Sequence, residues 1–478
     1  MHRNSSVRPT FGAYYSANPP IRSPRAQVRC VVRGASVEPP ARESREMRVR
    51  QHKDRASTGP LVCRAASAAF AVPRKGELVA QLALPRSLVP RQIYGDWKLG
   101  RRYTMRGVLG SGAYGEVIEA FDTTRQRLVA IKRMRNVFYS LGDAKRILRE
   151  VVILNRATHQ NVVRMVDFFV PDPASFTEIY VVLEYCDADL SKITKSEERL
   201  SEEQVVFIMH GLLSGVRYLH SQGIVHRDLK PGNALINRNC NVKICDLGMA
   251  RTCLAKPPAD AAAGRMTRHV ATRWYRPPEL VYVSDNYDGK VDMWAAGCVL
   301  GELLRNLKGS THPPNTTRAL FPGARCAPLS PGNVCPRDDP RDQLNVIFDL
   351  IGTPAQRDID RIPSGSVRRL LRSYPPRGPR RMKDLFPWVK NAGLLELLTD
   401  LLQFSPERRP TASETLRYAL FRDLATAPSP RKSHMRLPFL DSKPMSESKL
   451  REHFRHEIDE TRRRVRRAER SIRGAKAS

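Results

Sequence analysis

Hydrophobic and polar positions change their period several times along the chain. From Tyr103 to Met134 the residues read as three strands, with Gly110–Gly115 forming the first turn and Asp122-Thr123-Thr124-Arg125 the second. Between Asp143 and Ala157 the spacing becomes helical, with Ile147, Val151 and Leu154 along one face. Two apolar stretches of strand length follow, Val162–Val170 and Ile179–Tyr185. A small antiparallel sheet carrying one helix is the natural assembly of these pieces.

Beyond Asp187 the pattern turns helical, which makes the class α+β. Ser201-Glu202-Glu203-Gln204 is a capping box, and behind it Val205, Ile208, Leu212, Val216 and Leu219 share a face. Apolar helices are expected at Val291–Leu304, Leu344–Ile351 and Leu394–Phe404, and Thr411-Ala412-Ser413-Glu414 caps a last core helix. A Pro/Gly-rich stretch from Asn306 to Arg341 has neither period and reads as a long surface insertion. Near the end, Leu450, Phe454 and Ile458 mark a short amphipathic helix, Leu450–Glu460, that needs a partner surface. Residues 1–92 show no sustained period and read as a disordered extension, with order beginning near Ile93-Tyr94.

Charge sharpens that division. The 478 residues carry 81 Lys+Arg against 48 Asp+Glu, a net +33, yet residues 1–92 alone hold 17 basic and 5 acidic residues and residues 425–478 hold 15 and 7. Two basic tails therefore flank a milder centre. Such tails suit acidic partners, and without any nucleic-acid motif or aromatic interleaving they offer nucleic acid only non-specific electrostatic binding. The Arg/Ser-rich start suits an organellar transit peptide as well as arginine-rich disorder. No apolar run approaches the roughly 18 residues that a membrane span needs. Nine cysteines without a CxxC pair read as free thiols in a reducing compartment, hence an intracellular protein of the cytoplasm or nucleus.

The chemistry lies in the centre. Leu109-Gly110-Ser111-Gly112-Ala113-Tyr114-Gly115-Glu116-Val117 contains GxGxxG, whose glycines let backbone amides approach phosphate oxygens. A dinucleotide-binding turn would need a helix straight afterwards. Here strand, turn and strand follow, so the glycines form a flap over phosphates. Ala130-Ile131-Lys132 ends a buried strand with a lysine, for which Glu150 on the next helix can supply the counter-charge. His226-Arg227-Asp228-Leu229-Lys230-Pro231-Gly232-Asn233 and then Asp246-Leu247-Gly248 place polar groups between apolar strands, where packing alone gives them no reason to be. Metal-assisted phosphoryl transfer gives one. Asp246 and Asn233 would hold Mg²⁺, Asp228 would accept the hydroxyl proton, and Lys230 would neutralise the moving phosphoryl group. These elements in this order are the protein-kinase signature.

Residues about 100–424 resemble a eukaryotic protein kinase catalytic domain, and within that group the mitogen-activated protein kinases. The phrases that carry the likeness include Leu148-Arg149-Glu150, Lys243-Ile244-Cys245-Asp246, Val270-Ala271-Thr272-Arg273-Trp274-Tyr275-Arg276 and Leu320-Phe321-Pro322-Gly323. The resemblance implies a bilobal fold within residues 93–424, with an N-lobe of about 103–186, a C-lobe of about 187–424 and the 306–341 insertion, followed by a basic extension with a short helix over 425–478. It implies a Ser/Thr kinase using ATP and Mg²⁺ in intracellular signalling. Lys230 goes with Ser/Thr specificity, and Arg276 with proline after the target residue. Leu183 matches the gatekeeper position, and Glu184, Tyr185 and Cys186 the segment whose backbone holds adenine.

Departures from the family pattern are also informative. Met266-Thr267-Arg268-His269 stands where the family has Thr-x-Tyr, so Thr267 alone is expected to be phosphorylated by an upstream kinase, with Arg149, Arg227 and Arg251 as its phosphate pocket. Leu247 replaces the phenylalanine of Asp-Phe-Gly, and Pro278 replaces the alanine of Ala-Pro-Glu, while Glu279 remains to pair with Arg409. Two other readings share parts of the pattern. A cyclin-dependent-like kinase also fits a single activation threonine, and a kinase-fold scaffold would need the same fold without turnover.

Overall fold

A computed structural model describes residues 96–112, 115–252, 273–282, 288–313, 316, 318–326, 336–424, 435, 437 and 445–477, the last seven by backbone alone. Thr267, the turn residues Ala113 and Tyr114, and the segments 1–95 and 425–434 lie outside the described residues.

Five strands make the first sheet: β1 (Tyr103–Gly112), β2 (Gly115–Asp122), β3 (Arg127–Met134), β4 (Met165–Phe169) and β5 (Ile179–Glu184), antiparallel throughout and ordered β1-β2-β3-β5-β4. Because side chains alternate across a strand, Val129 and Ile131 of β3 join Tyr180 and Val182 of β5 on the outer face, under Trp97 and Tyr103. Met134, Ile179 and Val181 face the main core. Over that inner face lies α1 (Leu141–Arg156), begun by Ser140, whose hydroxyl accepts the Asp143 amide at 3.3 Å. The expected Val162–Val170 strand is shorter than its apolar run, because Val162 and Val163 turn to bridge Ile244 instead.

The second lobe is built on α2 (Glu202–Ser221), α3 (Lys290–Arg305), α4 (Gln343–Ile351), α5 (Gly365–Arg372) and α6 (Ala392–Leu401). The capping box at Ser201 and Gln204 forms as its spacing predicts. So does the one at Thr411 and Glu414, but the helix it starts is a single turn, Ala412–Thr415. Gly215 of α2 is required by close packing. A Cβ there would lie 2.6 Å from the Asn161 carbonyl and 2.8 Å from Ile244, so only glycine lets the helix reach the short strand Val242–Ile244. Helix α3 is buried from Val291 to Leu304, the mark of a central helix. Glu279 and Arg409 form a buried bidentate pair at 2.5 and 2.7 Å.

Two sequence expectations need correction. The 306–341 stretch is not only a surface insertion. Leu307 bridges Leu200, Leu320 and Phe321 are buried, and the Phe321 ring stacks on Trp294 of α3 at 5.4 Å. Short apolar dipeptides between prolines carry no period, which hid them. The C-terminal helix is not short: α7 runs Glu447–Ala477, 31 residues. The hydrophobic repeat weakens after Ile458, but polar anchors continue. Glu457 accepts from Asn155 at 2.8 Å and from Arg156 at 2.9 Å, and Arg464 donates to the carbonyls of Asn155 (2.9 Å) and Met165 (3.1 Å). Leu450, Phe454 and Ile458 are buried, and Phe454 meets Phe138, Phe168 and Phe176. Among the described residues no helix is long and apolar enough to cross a membrane, and the described cysteines are free thiols.

Two outcomes test this packing. Phe454→Ala empties an aromatic cluster and is expected to cost about 3–5 kcal/mol, read as a fall in melting temperature. An unchanged melting curve would mean that α7 is not docked in solution. In the second lobe, Tyr275 donates to Glu302 at 2.5 Å, and burial pushes the Glu302 carboxyl up to about 7 from 4.5. The native chain then keeps a proton that the unfolded chain has released, so stability falls as pH rises through that window. Glu302→Gln is expected to flatten this slope in denaturant titrations; an undiminished slope assigns it to another group.

Candidate active site

The site lies where the inner face of the sheet meets a set of short hairpins: β6 (Ala188–Asp189), β7 (Ile224–Val225), β8 (Ala234–Ile236), β9 (Val242–Ile244) and β10 (Arg251–Thr252). The order β6-β8-β9 pairs Ala234 with Ile244, so Asn233 and the Cys245-Asp246 step come together, and the Cys245 amide donates to the Asn233 carbonyl at 3.0 Å.

Lys132 sits opposite Val117 of β2 and Val181 of β5. Its ammonium donates to both oxygens of Glu150, at 2.8 and 2.9 Å, and both side chains are largely buried. Burial alone would depress the amine, but Glu150 and Asp246 outweigh it and push the amine up, so Lys132 stays charged. Helix α1 supplies a second link one residue earlier, where Arg149 donates to the Gly248 carbonyl at 3.0 Å. Asp246 itself has φ 61° and ψ 71°, a left-handed conformation uncommon for a residue other than glycine. Gly248 lies beside both carboxylates, its Cβ position 3.6 Å from Asp246 and 4.0 Å from Glu150.

Between β7 and β8 the Asp228 carboxylate accepts from Lys230 at 2.7 Å and from the Asn233 amide at 3.0 Å. The same Asn233 nitrogen donates to the Asp228 carbonyl at 2.8 Å, which fixes the amide and leaves its oxygen as the atom on offer to a cation. Asp246 and Asn233 thus offer one carboxylate and one amide oxygen, a fit for a hard cation that takes its other ligands from phosphate and water. Among the described residues no cluster of three or more His, Cys, Asp and Glu forms a metal site by itself.

What holds this loop was not recognised from sequence. Asp292, buried in the first turn of α3, accepts the amides of His226 and Arg227 at 2.8 Å each and sits 2.8 Å from His220 Nε2. Burial would raise its carboxyl, but the hydrogen bond from His220 and the Arg227 amide hold it below the usual carboxylate range. Arg227 is thereby kept at φ 70°. The His226 ring continues the chain of contacts. Nδ1 accepts the Asp228 amide at 3.2 Å, so Nε2 carries the proton and donates to the Cys245 carbonyl at 3.0 Å. The available signal was a carboxylate set into an apolar run, Val291-Asp292-Met293-Trp294.

The other expected residues are placed as follows. Leu109, Gly110, Ser111 and Gly112 lie on β1, and Gly115, Glu116 and Val117 on β2, where they flank the turn. Leu183 pairs with Ala130. The carboxylate of Glu184 accepts from the Arg164 amide (2.8 Å) and from Lys243 (3.1 Å). Burial and neighbouring carboxylates push the Cys186 thiol up to about 12, and burial pushes Cys245 well above its ordinary value, which makes both packing thiols at neutral pH. Arg251 pairs across β10 and β7 with Val225, two residues before Arg227, and Arg149 approaches from α1.

Comparison with known proteins agrees with this geometry. Residues 103–421 match the protein kinase domain. The chain is 32% identical to mitogen-activated protein kinase 7 of Arabidopsis thaliana over 388 residues, 80% of this chain and 97% of that one. It is 35% identical to mitogen-activated protein kinase 4 of Oryza sativa subsp. japonica (67% of this chain, 79% of that one). It is 37% identical to mitogen-activated protein kinase p38a of Drosophila melanogaster, with the same coverage. With the bilobal fold and these relatives together, the chain belongs to the protein kinases, as a serine/threonine kinase of the mitogen-activated protein kinase type.

Proposed function

We propose that residues 93–424 transfer the γ-phosphoryl group of ATP, as its Mg²⁺ complex, to serine or threonine hydroxyls followed by proline. The observation that carries this reading is the Asp228 carboxylate, poised between Lys230 and Asn233, together with an Asp246 that shares its surroundings with the Lys132–Glu150 pair. Lys132 holds the α- and β-phosphates and Glu150 holds Lys132. The glycine flap, from Leu109 to Val117, covers the phosphates, and the backbone of Glu184 and Cys186 receives adenine. Asp246 and Asn233 would hold the metal ion, and Mg²⁺ bound there would supply positive charge that offsets the charge of the phosphates.

Asp228 orients the substrate hydroxyl and takes its proton as the oxygen attacks phosphorus and the bond to the ADP oxygen breaks. Lys230 keeps that carboxylate in place and faces the charge of the transferring group. An upstream kinase phosphorylates Thr267, and Arg149, Arg227 and Arg251 gather the phosphate. Arg276 shapes the preference for proline after the target residue.

The test compares the full chain with Asp228→Asn on a Ser-Pro and Thr-Pro peptide array with Mg-ATP, after Thr267 has been phosphorylated. Turnover is expected to fall by about 10²–10⁴-fold while nucleotide affinity changes little. Equal turnover in the variant rejects Asp228 as the base, and signal spread over sites without proline rejects the substrate class.

A further inference from the structure

Lys132 has a neighbour that the mechanism does not use. Arg133 is one residue further along β3, so the alternation of the strand turns it to the opposite, outer face of the sheet. Its side chain is 1% exposed, an unusual place for a guanidinium, and its partners come from three separate segments, one of them Glu178, whose carboxylate lies 4.0 Å from Nη1. Glu116 Oε2 accepts from Nη2 at 2.7 Å. Asp96 offers a carboxylate oxygen at 3.2 Å and its carbonyl at 3.3 Å. The Trp97 ring lies over the guanidinium with its centre 4.4 Å away. Arg135 repeats the link on the surface, reaching Asp96 at 2.8 Å and Glu116 at 3.4 Å.

Glu116 is the residue that follows the last glycine of the flap and is the cross-strand partner of Arg133. Gly115, at φ 135°, packs directly on the Arg133 carbonyl, a contact that no side chain could share. The strand that returns from the flap is therefore fixed to β3 at its first two residues, by a close backbone contact on Gly115 and by a charged hydrogen bond on Glu116.

We infer that Arg133 is a positioning residue for the nucleotide: from the outer face of the sheet it anchors the return strand of the glycine flap through Glu116, with Asp96 and Trp97 strapped over it as the outer wall. The inference rests on reading that flap as the phosphate clamp. A flap tied at its root loses less conformational freedom when phosphates bind beneath it, so the anchor acts on nucleotide affinity. The groups that act on the transferring phosphoryl lie on the other face of the sheet and in the second lobe, so the chemical step is left alone.

Glu116→Ala removes the arm to the flap while Arg133 keeps Asp96. Expected is a rise of about fivefold in KM for ATP with an equal rise in the dissociation constant of a fluorescent ATP analogue, whereas Arg133→Lys, outside the flap, shows the same rise with kcat and peptide KM within about twofold of the parent. Glu116→Gln, which keeps an acceptor oxygen, recovers at least half of the loss. Arg133→Lys behaves like Glu116→Ala, because a single ammonium cannot span both carboxylates. Nucleotide affinity equal to the parent in folded Glu116→Ala or Arg133→Lys overturns the inference. So does a fall in kcat, peptide KM and melting temperature together, which marks a merely structural role. If Glu116→Ala does not fold, Glu116→Gln and Arg133→Lys carry the same readouts. Absence of phosphoryl transfer by the parent chain would instead count against the proposed activity, and the analogue titration still reads the flap.

Discussion

One carboxylate organises the catalytic region. Asp292 stands in the first turn of a helix buried from Val291 to Leu304, where an unpaired charge would be costly. Its cost is offset by two backbone amides, those of His226 and Arg227, and by the His220 ring. The core of the second lobe thereby dictates the path of the loop above it. Since Arg227 is held in a conformation that side chains seldom adopt, the loop cannot relax without breaking these bonds. His226 then passes the constraint to Cys245, next to Asp246. Asp228, Asn233 and Asp246 inherit their mutual arrangement from a residue that touches none of them.

The first lobe uses a different device. Lys132 and Glu150 belong to β3 and α1, so their pair depends on where α1 lies along the sheet. That is settled by α7 at the far end of the helix. Glu457 takes the side chains of Asn155 and Arg156, and Arg464 donates to the Asn155 carbonyl, one of the acceptors that a helix leaves open at its C-terminus. A segment from the very end of the chain thus caps the helix that carries Glu150. The outer ring of contacts is closed by Arg102, which reaches Asp122, Asp167 and Glu469.

Much of this was legible in the residues themselves. Strand and helix periods located the first-lobe sheet, α1, α2, α3 and α4 to within a few positions, because each buries one face or both in a single stretch. The catalytic loop was legible for another reason: charged residues between apolar strands make no sense as packing. Three things escaped, each for want of a local signal. Leu320 and Phe321 are core residues in a segment without period. The second half of α7 is held by arginines and a glutamate, which hydropathy reads as surface. Asp292 and His220 lie 72 residues apart, and nothing at either position announces the other.

The same asymmetry explains why Lys132 was found at once and Arg133 was not. A lysine in a buried apolar strand demands a counter-charge, and the next helix offers Glu150. An arginine beside it looks like the solvent-facing alternate of the same strand, which is the ordinary fate of such a position in a sheet with one covered face. Here Asp96 and Trp97 cover the outer face as well, so the alternate is buried and must be paired. Two adjacent cations on one strand thus serve opposite faces. Lys132 points to Glu150 of α1, and Arg133 points to Glu116 on the strand that follows the glycine turn. The register of β2 on β3, with Val117 against Lys132 and Glu116 against Arg133, keeps the two tasks in step. A one-residue slip would exchange the faces and lose both.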